Sequence, residues 1–206
     1  MENLFKVLPM ALAMVAGPQI VSAILLATGA RALRDSAAFI TGATLATTIG
    51  VTAAYMLSST AATATGGARS DVIDYGIIVL LLSLVVVVFR KRRHSQPPRW
   101  MSELQTATRR FSFNLGFLLF FVMPGDIVTM VTVGAYAAHH GSPWWHTLPF
   151  ILLTALLAGA PVIVLLLLGN RANIILPRMR DWVDTNSWIV NEIVIGIFLV
   201  LAVSGL

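Results

Sequence analysis

The sequence predicts an all-α integral membrane protein of six transmembrane helices, arranged as a 3+3 inverted-topology repeat. Three observations lead there: an apolar composition, a one-sided placement of basic residues, and an ordered likeness between the two halves. Of the 206 residues 57% are hydrophobic and only 11% charged, and the mean hydropathy is +0.84. A soluble domain of this size carries roughly 25% charged residues. The apolar residues also form long unbroken blocks, which suit a lipid solvent rather than water.

Six blocks reach the about 20 residues that cross a hydrocarbon core. The first, residues 5–28, follows Lys6 without an A-x-A-like cleavage site, so it reads as a helix and not as a signal peptide. The second, 36–58, contains "GATLATTIGVTAA", with Gly42, Ala46, Gly50 and Ala54 at four-residue spacing. Such a ladder lets another helix approach closely. The third, 72–89, has Asp74 and Tyr75 at its start, and the fourth, 111–136, has Pro124-Gly125-Asp126 near its middle. The fifth is 147–168; the sixth, 187–206, follows N-cap candidates from Asp184 to Ser187.

Charge sets the orientation. Arg31 and Arg34 lie in the first connection, Arg90 to Arg93, Arg99, Arg109 and Arg110 in or beside the third, and Arg171, Arg178 and Arg180 in the fifth. With six spans these basic residues share one side, and only Lys6 and Arg69 fall on the other. The positive-inside rule then makes the basic connections cytoplasmic and puts both termini outside a plasma membrane. All five tryptophans sit at or beyond span ends, where an amphipathic ring prefers the headgroup region.

The halves, 1–90 and 111–206, flank a basic cytoplasmic linker, 91–110, within one membrane domain. "GPQIVSAILLATGA" from Gly17 aligns with "PGDIVTMVTVGAYA" from Pro124, setting Gln19 opposite Asp126 and Ser22 opposite Thr129. Phe39 matches Phe150, and Asp74 falls opposite Asn191. Three spans are an odd number, so the second copy enters from the opposite side. Inverted repeats of this kind build secondary transporters, with a site where the first helix of each half is broken.

The candidate substrate or coupling residues follow from that pattern. Gly17, Pro18 and Gln19 in one half, and Pro124, Gly125 and Asp126 in the other, mark mid-span breaks whose freed backbone groups need protein or a wet cavity to satisfy them. Asp126 lies among Phe120, Phe121, Ile127 and Met130, where a carboxyl can carry a proton or bind a cationic group. Glu192, Asn191, Asp74, Thr44 and Thr48 are candidates for a path or gate. For the threonines a bond to their own helix backbone competes with that role.

Other chemistry is not expected. The absence of cysteine excludes disulfides and thiol-ligated metals. His139, His140 and His146 share a loop without an accompanying carboxylate, so no metal site is expected. There is no nucleophile elbow, zinc-protease motif or P-loop, so neither catalysis nor a cofactor is expected. The net charge of +5 belongs to topology and lipid headgroups rather than to nucleic acid.

The stretch "PQIVSAILLATGARALRDSAAFITGATL", residues 18–45, with its proline–x–isoleucine step and short arginine-bearing turn, resembles the lysine-exporter (LysE) superfamily. More specifically it resembles the GAP branch, the peptidoglycolipid or sulfolipid addressing proteins of actinobacteria. The closing "GIFLVLAVSGL", 196–206, fits as well. The resemblance implies export of a cell-envelope glycolipid, or help with it. Gly17-Pro18-Gln19 replaces the Pro-Gly-Pro of many amino-acid exporters, and Gln19 stands where metal-exporting relatives place a second acid.

The leading expectation is therefore an exporter of a glycolipid or other small amphipathic molecule, with Asp126 as the proton-coupling group and membrane lipid as its surroundings. Two alternatives stay open: a cation or cationic amino-acid exporter using Glu192 as a second acid, and a non-transporting scaffold for envelope-lipid assembly. The small-residue faces would also suit a homodimer.

Overall fold

The computed structural model describes residues 9–15, 17–29, 31–64, 108–169, 174–176 and 178. All regular structure among them is helical: α1 (Pro9–Val15), α2 (Pro18–Ala27), α3 (Ala32–Ala64), α4 (Arg109–Val122), α5 (Pro124–His139), a 3-10 turn (Trp144–Thr147) and α6 (Leu148–Leu168). The expected third and sixth spans, and nearly all of the linker, lie outside the described residues.

The expected first and fourth spans are each two helices. α1 and α2 meet at 69°, and so do α4 and α5. The prolines cause this without weakening either helix. Pro18 and Pro124 each open a new helix, where the missing N–H would have had no intrahelical partner. Before Pro18 the chain turns at Gly17 with φ 119° and ψ −145°, a region that glycine alone enters freely. Before Pro124, Met123 is extended at φ −67° and ψ 127°, the conformation a following proline imposes. The two breaks thus reach one bend by different backbone routes.

α3 is longer than the sequence suggested. Its 33 residues span about 50 Å at 1.5 Å each, against about 30 Å of hydrocarbon. Apolar patterning marks where lipid ends, not where a helix must. Asp35 in the first turn complements the helix dipole there. α3 through Thr60, and the stretch Trp144–Leu168, are each long and apolar enough to cross a membrane. Counting each bent pair as one span gives up to four among the described residues.

α3 packs along α4 and α5, and α6 packs against α1, α2 and α3. The small-residue ladder makes the first contact possible. Gly42 lies against the Phe113 carbonyl, and Gly116 reciprocally against the Phe39 carbonyl, so the two backbones touch where α3 crosses α4. Further along, Gly50 accommodates the Met130 sulfur. A β-carbon on Gly134 would stand 2.7 Å from that of Ala54. Phe39, Phe120 and Phe150 fill the centre, with Phe39 and Phe120 edge to face at 6.3 Å.

At the far end of α3 two bonds fasten the loop after α5. The Tyr55 hydroxyl donates to the Ser142 carbonyl at 3.1 Å, and the Trp144 indole N–H donates to Thr52 Oγ1 at 2.9 Å. On α6, Leu152, Leu156, Leu166 and Leu167 stay exposed, as side chains facing lipid would.

Candidate functional site at the two helix breaks

The helix breaks bring together two polar side chains from opposite halves of the chain. Gln19 is the second residue of α2 and Asp126 the third of α5, counting from the prolines that start them. Gln19 Nε2 donates to Asp126 Oδ2 at 2.7 Å, and the two residues are 107 positions apart in sequence. They are 3% and 4% exposed. A buried bond to a carboxylate is among the stronger neutral–charged contacts a protein makes. Asp126 also sits in the first turn of α5, where the helix dipole favours negative charge.

The pair is incompletely satisfied. Gln19 Oε1 is buried and has no hydrogen-bond partner. An amide oxygen in that state accepts readily from a hydroxyl, an ammonium or a water. Phe120 and Met130, close in sequence to Asp126, are buried in the main apolar core, and Ile20 and Ile127, the residues after Gln19 and Asp126, pack against it.

Neighbouring hydroxyls do not supply the missing donor, because each is committed to its own helix. Ser22 Oγ donates to the Pro18 carbonyl at 2.7 Å, and Thr129 Oγ1 donates to the Gly125 carbonyl at 2.8 Å. These are the residues that the alignment of the halves sets opposite one another, and they make equivalent bonds. The serine–threonine match was legible in the sequence; its shared bond was not, since hydroxyl direction depends on the local helix.

The two glycines differ. Gly17 is held by its positive φ, and a β-carbon there would approach Gln19 Oε1 at 3.3 Å. Gly125 has nothing within 4 Å of a would-be β-carbon, so its place does not require glycine for packing. Thr44 Oγ1 donates to the Ile40 carbonyl at 2.8 Å and Thr48 Oγ1 to the Thr44 carbonyl at 2.7 Å. The competing backbone role is the one they fill here. Glu192, Asn191 and Asp74 lie outside the described residues.

A family model described as Sap, sulfolipid-1-addressing protein, matches residues 7–206. The chain belongs to the sulfolipid-1-addressing protein family. The match runs over both helix breaks and nearly the whole sequence, and it agrees with the GAP-like resemblance drawn from residues 18–45 and 196–206. Comparison with curated proteins and with solved structures returned no match. Membership of the sulfolipid-1-addressing family links this membrane chain to glycolipid. What the Gln19–Asp126 pair does there is a separate question.

Proposed function

We propose that this chain is a secondary-type plasma-membrane exporter that moves a cell-envelope glycolipid, or a related amphipathic molecule, past the Gln19–Asp126 pair. The buried bond between two broken helices is the observation behind this reading. Intramembrane acids at helix breaks are a recurrent feature of transporter sites. The family's glycolipid link suggests the cargo.

In the proposed architecture the chain has six spans in a 3+3 inverted repeat, with the basic connections cytoplasmic and both termini outside. α1–α2 and α4–α5 are then equivalent first helices, and α3 and α6 equivalent second helices. A two-fold axis in the membrane plane would exchange α3 on α4–α5 with α6 on α1–α2, and both contacts are present.

The mechanism asks for no catalytic step and no cofactor. A sugar hydroxyl entering the break donates to Gln19 Oε1, the acceptor left over by the Asp126 bond. As the substrate competes for the pair, Asp126 exchanges its Gln19 donor for a proton, and it releases that proton when the pair re-forms. Binding and proton movement are thereby linked through one carboxyl.

Asp126→Asn tests this. It preserves size and a hydrogen bond but cannot take up a proton. The variant is expected to fold with an unchanged melting temperature while the surface-exposed glycolipid of cells carrying it falls to the level of cells lacking the protein. Wild-type surface lipid in that variant would remove Asp126 from the mechanism. Loss of function only on reversing linker charges such as Lys91 and Arg92 would favour the scaffold instead.

A further inference from the structure

A second polar feature lies away from the helix breaks, where α3 and α4 begin. A cleft of about 780 Å³ opens between their first turns, with Arg34 and Thr41 on one wall and Arg109, Arg110, Phe113 and Asn114 on the other. The glycine crossing explains its shape. Gly42 and Gly116 pull the two backbones together one turn deeper, and the helices diverge from there toward their N-terminal ends. Ala37 and Ala38 also line it, and their short side chains leave the wedge open.

The charge of this cleft is unfavourable as it stands. Three exposed arginines from two helices line it, and among the described residues none forms an ion pair. They also occupy the positive ends of both helix dipoles, where acids are preferred. The acid next in sequence, Asp35, is buried and does not line the cleft. A bound anion would relieve both the mutual repulsion and the dipole clash, and arginine forks match the paired oxygens of sulfate and phosphate.

An apolar track leads out of the same cleft. Arg109, Phe113, Phe117 and Phe121 recur at four-residue spacing on one face of α4. Phe113 and Phe117 stack with centroids 6.4 Å apart, and Phe117 and Phe121 at 5.3 Å, each pair 16° from parallel. From Phe113 to Phe121 the row covers about 12 Å and ends one residue short of the last residue of α4.

We infer that the Arg34–Arg109–Arg110 cleft docks the sulfate or phosphate of an anionic lipid, whose acyl chain lies along the Phe113–Phe117–Phe121 row. The site is distinct from the Gln19–Asp126 pair and stands whether or not that pair couples transport. Head and tail of one molecule meet the basic cleft and the apolar row that leads out of it.

The test uses the full chain in mild detergent, with a sulfated galactosylceramide, its uncharged parent and sodium sulfate as probes, read by native mass spectrometry. The sulfated lipid is expected to bind on the order of tenfold tighter than the parent, with millimolar sulfate failing to displace it. Replacing the three arginines by lysine keeps charge and topology but loses the planar fork, and should weaken binding on the order of tenfold. Phe117→Ala should weaken a long-chain lipid more than a short-chain one. The loss caused by the arginine-to-lysine changes should be the same in wild-type and Asp126→Asn backgrounds, which separates this site from the transport mechanism. Equal affinity for charged and uncharged lipids, or an undisturbed lysine variant, would overturn the anion site. Displacement by free sulfate, or equal chain-length effects, would overturn the lipid assignment.

Discussion

At the scale of single residues, the alignment of the halves set Gln19 opposite Asp126, and the structure has them in contact. The alignment was informative because polar residues are scarce in the spans, so a matched pair stands out against leucine and valine. The orphaned Gln19 Oε1 was not legible, since satisfaction depends on every neighbour within 3.5 Å and not on pattern. The pair predicts strong coupling in stability. Asp126→Leu strands a buried amide, and Gln19→Leu strands a buried carboxyl, each at a cost of about 1–3 kcal/mol. The double variant should cost less than the sum, because nothing polar is then left unpaired. Thermal melts of the four proteins in one detergent would measure this, and strict additivity would mean that the bond contributes nothing.

At the scale of elements, the sequence marked the first helix of each half as broken at its Gly-Pro or Pro-Gly step, and each break is a 69° bend. The backbone form of the bend was less legible, since proline in an apolar run is also compatible with a kink in a continuing helix. Here each proline begins a fresh helix, because Gly17 and Met123 take up the turn just before it. The four-residue ladder of α3 was legible as a packing face, and it lies against both arms of the α4–α5 pair. Its partners Gly116 and Gly134 were not identified, as an isolated glycine in an apolar helix has no period to reveal it. The reciprocal Gly42–Gly116 crossing leaves no room for larger side chains. Gly42→Leu or Gly116→Leu should destabilise the protein by at least about 1–3 kcal/mol, as overpacking does. A melting temperature equal to wild type in either variant would contradict the close crossing.

At the scale of the whole molecule, composition alone made the membrane class plain, since a chain with 11% charged residues has too little polar surface for water. The proposed six-span topology rests on where arginine and lysine fall between the blocks. That logic makes a prediction the cysteine-free sequence is well suited to test. Single cysteines at Ser95→Cys and His139→Cys should label from opposite faces, Ser95→Cys from the cytoplasmic side. Labelling of both from one face with an impermeant maleimide would refute the six-span arrangement. The arginine cleft belongs to this scale too, since its walls come from the first connection and from the linker's end. The sequence counts those arginines as topology markers; only the fold places them around one space.

The Gln19–Asp126 bond also has a consequence for biogenesis. At about 5–20 residues per second, a ribosome delivers Asp126 roughly 5–20 s after Gln19 enters the membrane, given the 107 residues between them. Throughout that interval the first half holds a side-chain amide whose partner has not yet been synthesised. The N-terminal half is therefore a polar orphan in lipid until the second half inserts. A chain truncated at the linker should be short-lived in the membrane and rescued by co-expression of its missing half.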